Sequence, residues 1–364
     1  MTDLTTLFQA GVAAVRGDSA VAASLTTAPI APPDRIIAVG KAATAMAQAA
    51  HMAFPKVPVL IITKYGHAAG APAGAEVIEA AHPVLDSQSL MAGARLLEVT
   101  GTMAPTSHLL LLISGGASAL AEAPQTALGL EDLRHRAQEM LASGADIHAM
   151  NAARKEMSRI KGGKLLAGFP GAAATTLTIS DVEGDDLTVI GSGLGAAPST
   201  YGFTFETRIV ASNAIARAAV AQAAQKHPVQ TNDETLYDDI HTLAPRIAKA
   251  LKQGPEGLHI WGGEPTVILP PDPGRGGRNQ ALAALLAREI AGTTDLQILV
   301  AGTDGTDGPT DAAGAIVDGT TWEPAGQNAL DRADSGSWLA QRGALLTTGP
   351  TGTNVMDLVI ALKS

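Results

Sequence analysis

The first half of the chain alternates between apolar segments and small-residue segments, and this alternation constrains the fold more than any other feature. Several apolar segments have the length and the branched residues of buried strands: 35–39, 57–63, 76–80, 108–114 and 174–180. Helices are predicted before and between them, at 2–29, 42–53, 87–99, 131–143 and 146–160. Because strands that alternate with helices form parallel sheets covered on both faces, the sequence predicts an α/β fold.

The second half of the chain has a less regular pattern. Its predicted elements are strands at 207–211, 296–300 and 354–362 and helices at 213–225 and 278–290. Two further apolar segments, 258–261 and 266–269, flank Gly-Gly-Glu-Pro and are predicted to pair as a hairpin. Such a hairpin would make the second sheet mixed, so we expect a second domain in this half of the chain.

The composition narrows the class of protein. With 364 residues the chain is long enough for two domains, and 46% hydrophobic residues can fill both cores. A formal net charge of -10 argues against a partner that is a nucleic acid or an anionic membrane surface. No cysteine is present, which excludes disulfides and thiolate catalysis. With no membrane-length apolar run and no signal-peptide pattern at its start, we expect a cytoplasmic protein.

Three carboxylates follow the predicted strand at 296–300. Asp304, Asp307 and Asp311 are separated by glycine and threonine residues. Crowded anions are unfavourable unless a cation, amides or a polar ligand compensates them, and open α/β sheets bind ligands beyond the carboxyl ends of their strands. The alternative is a turn in which Asp and Thr side chains bond their own backbone. Asp304, nearest to the strand, is the one that we expect to act in catalysis or metal binding.

Two glycine-containing turns follow predicted strands and can hold an anion. In the first, Lys41 lies at the N-terminus of a predicted helix, where a cation is unfavourable unless it has a partner. The second joins a buried strand to a small-residue helix, so that its amides and hydroxyls can cradle a phosphate. Its residues are Ser114, Gly115, Gly116, Ala117 and Ser118. Neither turn is a P-loop or a dinucleotide fingerprint, and a solvated lysine and an ordinary turn are the alternatives.

A run of cations lies between residues 154 and 164 of this acidic chain. A solvated helix face is the ordinary explanation of such a run. Here Lys161 precedes Gly162 and Gly163, a pattern typical of a loop that binds polyphosphate. We therefore expect these three residues to contact a nucleotide and Arg154 to contact the substrate.

Two other segments carry groups suited to phosphate chemistry. Asp181 follows the predicted strand at 174–180 and can hold Mg²⁺, which prefers carboxylate, water and phosphate oxygens. The glycine-rich turn at 274–280 contains Arg275 and Arg278, and either arginine can clamp a carboxylate or a phosphate bidentately. Cations, amide-rich turns and carboxylates together are what phosphoryl transfer requires. Among the histidines, His67 and His82 lie near glycine or proline turns.

These segments resemble, in the same order, those of the class II glycerate kinases, the glycerate 2-kinases whose C-terminal half is called the MOFRL domain. The resemblance covers nearly the whole chain and rests on residues 39–41, 63–67, 82–84, 112–118, 154–163, 180–186, 262–264, 276–280, 303–314 and 351–354. Two departures from the family pattern are the segment 190–197 and Glu156, which stands where the family often has histidine.

The resemblance implies ATP-dependent, Mg²⁺-assisted phosphorylation of D-glycerate to 2-phospho-D-glycerate. It also implies a Rossmann-like N-terminal domain with a parallel sheet, placed at 1–210, and a MOFRL-type C-terminal α/β domain with a mixed sheet, placed at 211–364. The active site is expected in the cleft between them. D-glycerate and ATP are the expected partners, and a homodimer is left open.

The expected mechanism combines the residues with the family pattern. Lys41 matches the family's catalytic lysine, and Arg278 best matches its active-site arginine. The expected catalytic set is Lys41, Arg278, Asp181 and Asp304, the metal ligands are Asp181 or Asp304, and the substrate contacts are Lys41, Arg154, Arg278 and Asn279. An NAD(P)H-dependent hydroxypyruvate reductase, a label that some relatives carry, and a non-catalytic sugar-acid-binding regulator are the alternatives.

Overall fold

The computed structural model describes residues 3–125, 128–142 and 147–364. Contacts divide the chain into two compact units. The parallel-sheet unit comprises Arg16–Ser212 and Gly352–Asn354, and the mixed-sheet unit comprises Met1–Val15, Asn213–Thr351 and Val355–Ser364. The predicted domain bounds, 1–210 and 211–364, remain a prediction. No helix within the described ranges is long and apolar enough to span a bilayer.

The helices of the described residues are, in chain order, α1 Leu4–Val15, α2 Gly17–Thr27, α3 Ala43–Ala53, α4 Ser87–Gly101, α5 Ala117–Leu120, α6 Leu130–Ala142, α7 Ile147–Met157, α8 Lys164–Ala167, α9 Asn213–Ala223, α10 Ile240–Gln253, α11 Arg278–Glu289, α12 Ala325–Asp331 and α13 Ser335–Gln341. The strands are β1 Arg35–Val39, β2 Val59–Lys64, β3 Glu76–Ala80, β4 His108–Ile113, β5 Ala173–Ile179, β6 Thr204–Ala211, β7 Val229–Glu234, β8 Gly257–Gly263, β9 Leu296–Gly302, β10 Gly314–Asp318, β11 Leu345–Leu346 and β12 Asp357–Lys363.

The sheet of the parallel-sheet unit has the strand order β3-β2-β1-β4-β5-β6, with every neighbouring pair parallel. This confirms the predicted α/β class and the parallel sheet. Alanine-rich α3 packs against β1 and β2, and α4 packs against β3. The strand order reverses between β1 and β4, and doubly wound sheets bind ligands in the crevice that such a reversal opens at their carboxyl edge.

The sheet of the mixed-sheet unit has the order β11-β10-β9-β12-β8-β7. The C-terminal strand β12 is antiparallel to both of its neighbours, β8 and β9, whereas β7 is parallel to β8. The predicted mixed sheet is therefore confirmed. Helix α11 packs against β9 and β10, and residues 279–287 of this helix are all buried. The position of its first residue, Arg278, is thus set by a packed core.

The predicted hairpin at 258–261 and 266–269 is wrong. Strand β8 pairs with β12 and β7, and residues 266–269 form no strand beyond an isolated bridge between Thr266 and Asp239. The prediction failed because β12 lies about a hundred residues further along the chain, beyond the reach of a local pattern. Strand β7 was missed since its sequence, Val-Gln-Thr-Asn-Asp-Glu, is polar, as an edge strand can be.

Several predicted helices differ in their bounds from the observed ones. The helix predicted at 2–29 is divided at Arg16, whose backbone is extended (φ -59°, ψ 139°), into α1 and α2, which belong to different units. The helices predicted at 131–143 and 146–160 correspond to α6 and α7, and residues 143–146 lie outside the described part. Helix α7 ends at Met157, so the following glycine turn starts from a non-helical segment.

Candidate active site

The turns after β1 and β4 are joined by backbone hydrogen bonds at the reversal of strand order. The N–H of Lys41 donates to the carbonyl of Gly115 (2.9 Å), and the N–H of Ser114 donates to the carbonyl of Val39 (3.0 Å). The hydroxyl of Ser114 accepts from the N–H of Ala42 (3.1 Å). The two turns therefore form one rigid structure at the carboxyl edge of the sheet, with Lys41 in it.

The side chains of Lys41 and His82 lie against Gly116. A Cβ atom at Gly116 would stand 3.0 Å from Cδ2 of His82 and 3.2 Å from Cγ of Lys41, and the residue has a left-handed backbone (φ 85°). Glycine is needed here for both reasons. His82 was not among the predicted site residues, although its place beside a proline turn after β3 was a usable signal.

Two backbone amides of this turn are available to a ligand. Within the described residues, the N–H groups of Gly115 and Gly116 have no hydrogen-bond acceptor. Successive N–H groups without acceptors form a concave site for anions. With the Lys41 side chain beside them, they give this turn the donors that a phosphate group requires.

Asp181 reaches the same turn from the end of β5. A Cβ atom at Gly115 would lie 2.1 Å from Oδ2 of Asp181, so only glycine permits this approach. The Nδ2 of Asn354 donates to the same Oδ2 at 3.4 Å. The predicted residues Lys41, Gly115, Gly116 and Asp181 are thus brought together, and Asn354, which the sequence analysis included only in the family segment 351–354, joins them.

The carboxylates near this turn determine whether a metal ion fits there. No three His, Asp or Glu side chains of the described residues converge as a metal-binding group. Mg²⁺ is commonly held by one or two carboxylates together with water and substrate phosphates, so a single carboxylate beside a phosphate-binding turn suits it. Asp181 fits this description.

The expected nucleotide contact of Lys161 requires correction. Lys161 is 2% exposed, and its Nζ donates to Oε2 of Glu122 at 2.5 Å. Burial lowers the pKa of Lys161, while the carboxylate of Glu122 opposes this shift. Burial also lowers the pKa of the half-buried Arg154, again against the charge of Glu122. Lys161 is therefore part of a buried ion pair and is not exposed to a polyphosphate.

The amides of Gly162 and Gly163 are also engaged. They donate to the carbonyls of Ser192 and Gly193, both at 2.9 Å. The hydroxyl of Ser192 is in turn hydrogen-bonded to the hydroxyl of Ser118 at 2.9 Å. The segment 190–197, which departs from the family pattern, therefore supports the glycine turn at 162–163. Contrary to the prediction, the amides of Gly162 and Gly163 are not available to a phosphate group.

Breaking the Glu122–Lys161 pair is expected to destabilise the fold. The variant Lys161→Met leaves a buried carboxylate without its cation, and urea unfolding should show a loss of roughly 3–5 kcal/mol. The double variant Lys161→Met, Glu122→Gln should regain most of that stability, because no uncompensated charge remains. If Lys161 instead faced a ligand at the surface, the single variant would be as stable as the unsubstituted protein.

In the mixed-sheet unit, Arg278 is held by two carboxylates. Its Nε donates to Oδ2 of Asp357 (2.7 Å) and its Nη1 pairs with Oε1 of Glu264 (2.8 Å). Burial opposes the positive charge, but these carboxylates outweigh it and raise the pKa of Arg278. Asp357 is buried where β12 begins, opposite Gly263 and Gly302 of the flanking strands. Neither carboxylate was predicted as a site residue, although Glu264 lay in a family segment.

The three aspartates after β9 have different surroundings. Oδ1 of Asp304 accepts from the N–H and the hydroxyl of Thr306, both at 3.0 Å, which is the local turn bonding considered as the alternative. Asp307 is buried and bonded to the first turn of α11, and Asp311 is exposed. The first turn of α11 also contains Asn279, whose buried Oδ1 has no partner within the described residues.

Comparison with known proteins gives the family. Residues 3–230 match a domain of unknown function, DUF4147, and residues 257–357 match the MOFRL family. A D-glycerate 2-kinase of Thermotoga maritima is 36% identical over 90% of this chain and 91% of its own. The crystal structure of a Thermotoga maritima glycerate kinase gives a TM-score of 0.89 at 32% identity, over 99% of this chain and 98% of that one. An Agrobacterium vitis protein, provisionally named a hydroxypyruvate reductase, is 35% identical over 98% of this chain and 92% of its own.

The doubly wound sheet, with a lysine and open amides where its strand order reverses, is an arrangement in which α/β proteins can bind phosphate groups. Family matches and relatives agree with that class, and the prediction of a kinase is confirmed. The chain belongs to the class II glycerate kinase family, and it combines a DUF4147 region with a MOFRL region.

Proposed function

We propose that the protein catalyses the ATP-dependent phosphorylation of D-glycerate to 2-phospho-D-glycerate. The observation that carries the proposal is the convergence of Lys41, the open amides of Gly115 and Gly116, and Asp181 at the carboxyl edge of the parallel sheet. A cation, amide donors and a carboxylate are the groups with which proteins position phosphates and neutralise their charge. The names of the relatives supply glycerate as the acceptor.

In this proposal the parallel-sheet unit binds the nucleotide. The amides of Gly115 and Gly116 donate to phosphate oxygens of ATP, and the ammonium of Lys41 neutralises the charge that develops on the transferring phosphoryl group. Asp181 would hold Mg²⁺, which supplies further neutralisation of the phosphate charge when bound. Lys161, Gly162 and Gly163 have a structural role in this proposal and do not contact the nucleotide.

The mixed-sheet unit is assigned to glycerate. Nε and Nη1 of Arg278 are engaged by Asp357 and Glu264, and within the described residues Nη2 has no acceptor and is assigned to the glycerate carboxylate. The orphan Oδ1 of Asn279 can accept from a substrate hydroxyl, which would relieve the penalty of a buried unpaired oxygen. Arg154, which is half-buried near Glu122, receives no role here.

The reaction itself needs one proton acceptor. The 2-hydroxyl oxygen of glycerate attacks the γ-phosphorus, the bond from that phosphorus to the bridging oxygen breaks, and ADP leaves. Asp181 or Asp304 orients the hydroxyl and takes its proton. The carboxylate of Asp304 is oriented by two hydrogen bonds that its Oδ1 accepts from Thr306.

The competing function is a nicotinamide-dependent reductase, since the strand order 3-2-1-4-5-6 is also that of dinucleotide-binding sheets. The turn after β1 lacks the glycine fingerprint of such sheets and has Lys41 in its place. Purified protein should release ADP from ATP and Mg²⁺ only when D-glycerate is present, and it should not oxidise NADH or NADPH with hydroxypyruvate. Oxidation of the nicotinamide without glycerate-dependent ADP release would establish the reductase instead.

A methyl group at Gly116 is expected to disturb the site more than the fold. The variant Gly116→Ala adds a Cβ against His82 and Lys41 at a left-handed backbone, which costs roughly 1–2 kcal/mol of unfolding free energy. Displacement of Lys41 should lower kcat about 10²-fold. Gly168→Ala is the matched control, because a Cβ there meets no atom within 4 Å and φ is -99°. Equal kinetics for both variants would contradict the assignment.

A further inference from the structure

We propose that Asp307 is the positioning residue of Arg278, because its carboxylate fixes the N-terminus of α11, the helix that begins with Arg278. The proposal rests on the proposed function insofar as Arg278 is assigned to glycerate. The aspartate lies in the loop after β9, and the residue is 4% exposed.

The carboxylate of Asp307 accepts hydrogen bonds from the first turn of α11. Its Oδ1 accepts from the N–H of Asn279 (3.0 Å) and its Oδ2 from the N–H of Gln280 (2.8 Å). The Nε2 of Gln280 donates to the same Oδ2 (3.0 Å) and to the carbonyl of Asp307 (3.2 Å). N–H groups in a first turn have no acceptor within their own helix, so an outside acceptor decides how that turn is held.

A local cap is missing at this helix. The residue before Arg278 is Gly277, which has no side chain to accept a hydrogen bond, and α11 has no side-chain cap of its own. Asp307 takes that role from 28 residues away. A Cβ at Gly277 would lie 2.3 Å from Oδ1 of Asp307, and a Cβ at Gly308 would lie 2.9 Å from the Cα of Gly277. Both glycines are therefore needed for the loop to reach the helix.

The charges around Asp307 couple it to the arginine. The groups that face it are Arg278 and the two amides on α11, the side chain of Gln280, and the carboxylate of Asp357 on β12. Burial raises the pKa of Asp307 to about 6, against the hydrogen bonds from Gln280 and Asn279. Below that pH the carboxyl group carries a proton, and a protonated oxygen no longer accepts from an amide as the carboxylate does.

The effect on stability has the opposite sign to the effect on positioning. A carboxyl group whose pKa is raised on folding adds stability below its ordinary pKa of 3.8, and that contribution is lost as pH rises through about 6. Titration of Asp307 therefore does not unfold the protein on acidification. A loss of glycerate affinity between pH 7 and pH 5 would therefore reflect a change at the N-terminus of α11 and not unfolding.

The test compares Asp307→Asn with Asp311→Asn. Asparagine keeps the shape of the side chain, but its amide nitrogen is a donor and would face a backbone N–H of α11, which is also a donor. Asp311 is the control because it is exposed in the same loop. We expect Asp307→Asn to raise KM for D-glycerate about tenfold or more and to leave KM for ATP within about twofold. It should also remove the acid limb near pH 6 from kcat/KM for D-glycerate. Asp311→Asn should match the unsubstituted protein in each respect.

A second readout does not depend on activity. In ¹⁵N NMR spectra, the Nε–H resonance of Arg278, bonded to Asp357, should move in Asp307→Asn and stay in place in Asp311→Asn. An unmoved resonance would overturn the positioning role, as would an unchanged KM for glycerate in an active enzyme. Absence of phosphoglycerate with the unsubstituted protein would instead contradict the proposed function alone. If Asp307→Asn does not fold, the pH dependence of KM for glycerate in the unsubstituted protein decides the question.

Discussion

Replacement of Lys41 by alanine is expected to lower kcat about 10³-fold while leaving the fold intact. The Cγ of Lys41 lies against Gly116 in the turn with the open amides, and the ammonium of this side chain is the group that we assign to the charge of the transferring phosphoryl group. The backbone of residue 41 keeps its bond to Gly115 in the variant. Circular dichroism and thermal unfolding should therefore be unchanged, and steady-state kinetics should locate the loss in kcat.

The control for Lys41→Ala is Lys56→Ala, which removes an exposed cation from the same unit. That variant should have the kinetics of the unsubstituted protein, since a solvated surface charge contributes little. Turnover of Lys41→Ala within a few-fold of the control would contradict the assignment of Lys41.

Replacement of Arg278 by alanine is expected to have two separable effects. Asp357, whose side chain is 3% exposed, loses its cation, which should lower the unfolding free energy by roughly 3 kcal/mol. Loss of the guanidinium should also lower kcat/KM for D-glycerate about 10³-fold. Lysine at this position keeps the charge but not the planar fork, so Arg278→Lys should recover little of the activity.

The two effects of Arg278→Ala can be distinguished by a second substitution. In the double variant Arg278→Ala, Asp357→Asn no buried carboxylate is left without a cation, so urea unfolding should show most of the stability restored. Its kcat/KM for D-glycerate should stay as low as in the single variant. Recovery of activity together with stability would show that Arg278 acts only through the fold.

Much of the fold could be predicted because the relevant patterns are local. Strands β1, β4 and β5 are short apolar runs, and their burial on both faces is what such runs indicate. Lys41, the turn at 114–118 and Asp181 each follow one of these strands. Since parallel neighbours end at the same edge of a sheet, their convergence followed from the strands alone.

The features that were missed depend on partners that are remote in sequence. Lys161 stands in a run of cations, and nothing local indicates that Glu122, 39 residues earlier, pairs with it inside the fold. Asp307 lies in a loop whose sequence predicts local turn bonding, yet its carboxylate oxygens accept hydrogen bonds from the first turn of α11. The strand β8 pairs with β12 across most of the C-terminal region. Each case is a pairing decided by tertiary packing.

The most direct test of the proposed activity identifies the product. The protein should be incubated with D-glycerate, ATP and Mg²⁺, and the reaction followed by ³¹P NMR with authentic 2- and 3-phosphoglycerate as standards. We predict ADP and 2-phospho-D-glycerate in equal amounts, and neither product from Lys41→Ala on the same time scale. Formation of 3-phosphoglycerate, or the absence of any phosphoglycerate from the unsubstituted protein, would contradict the account.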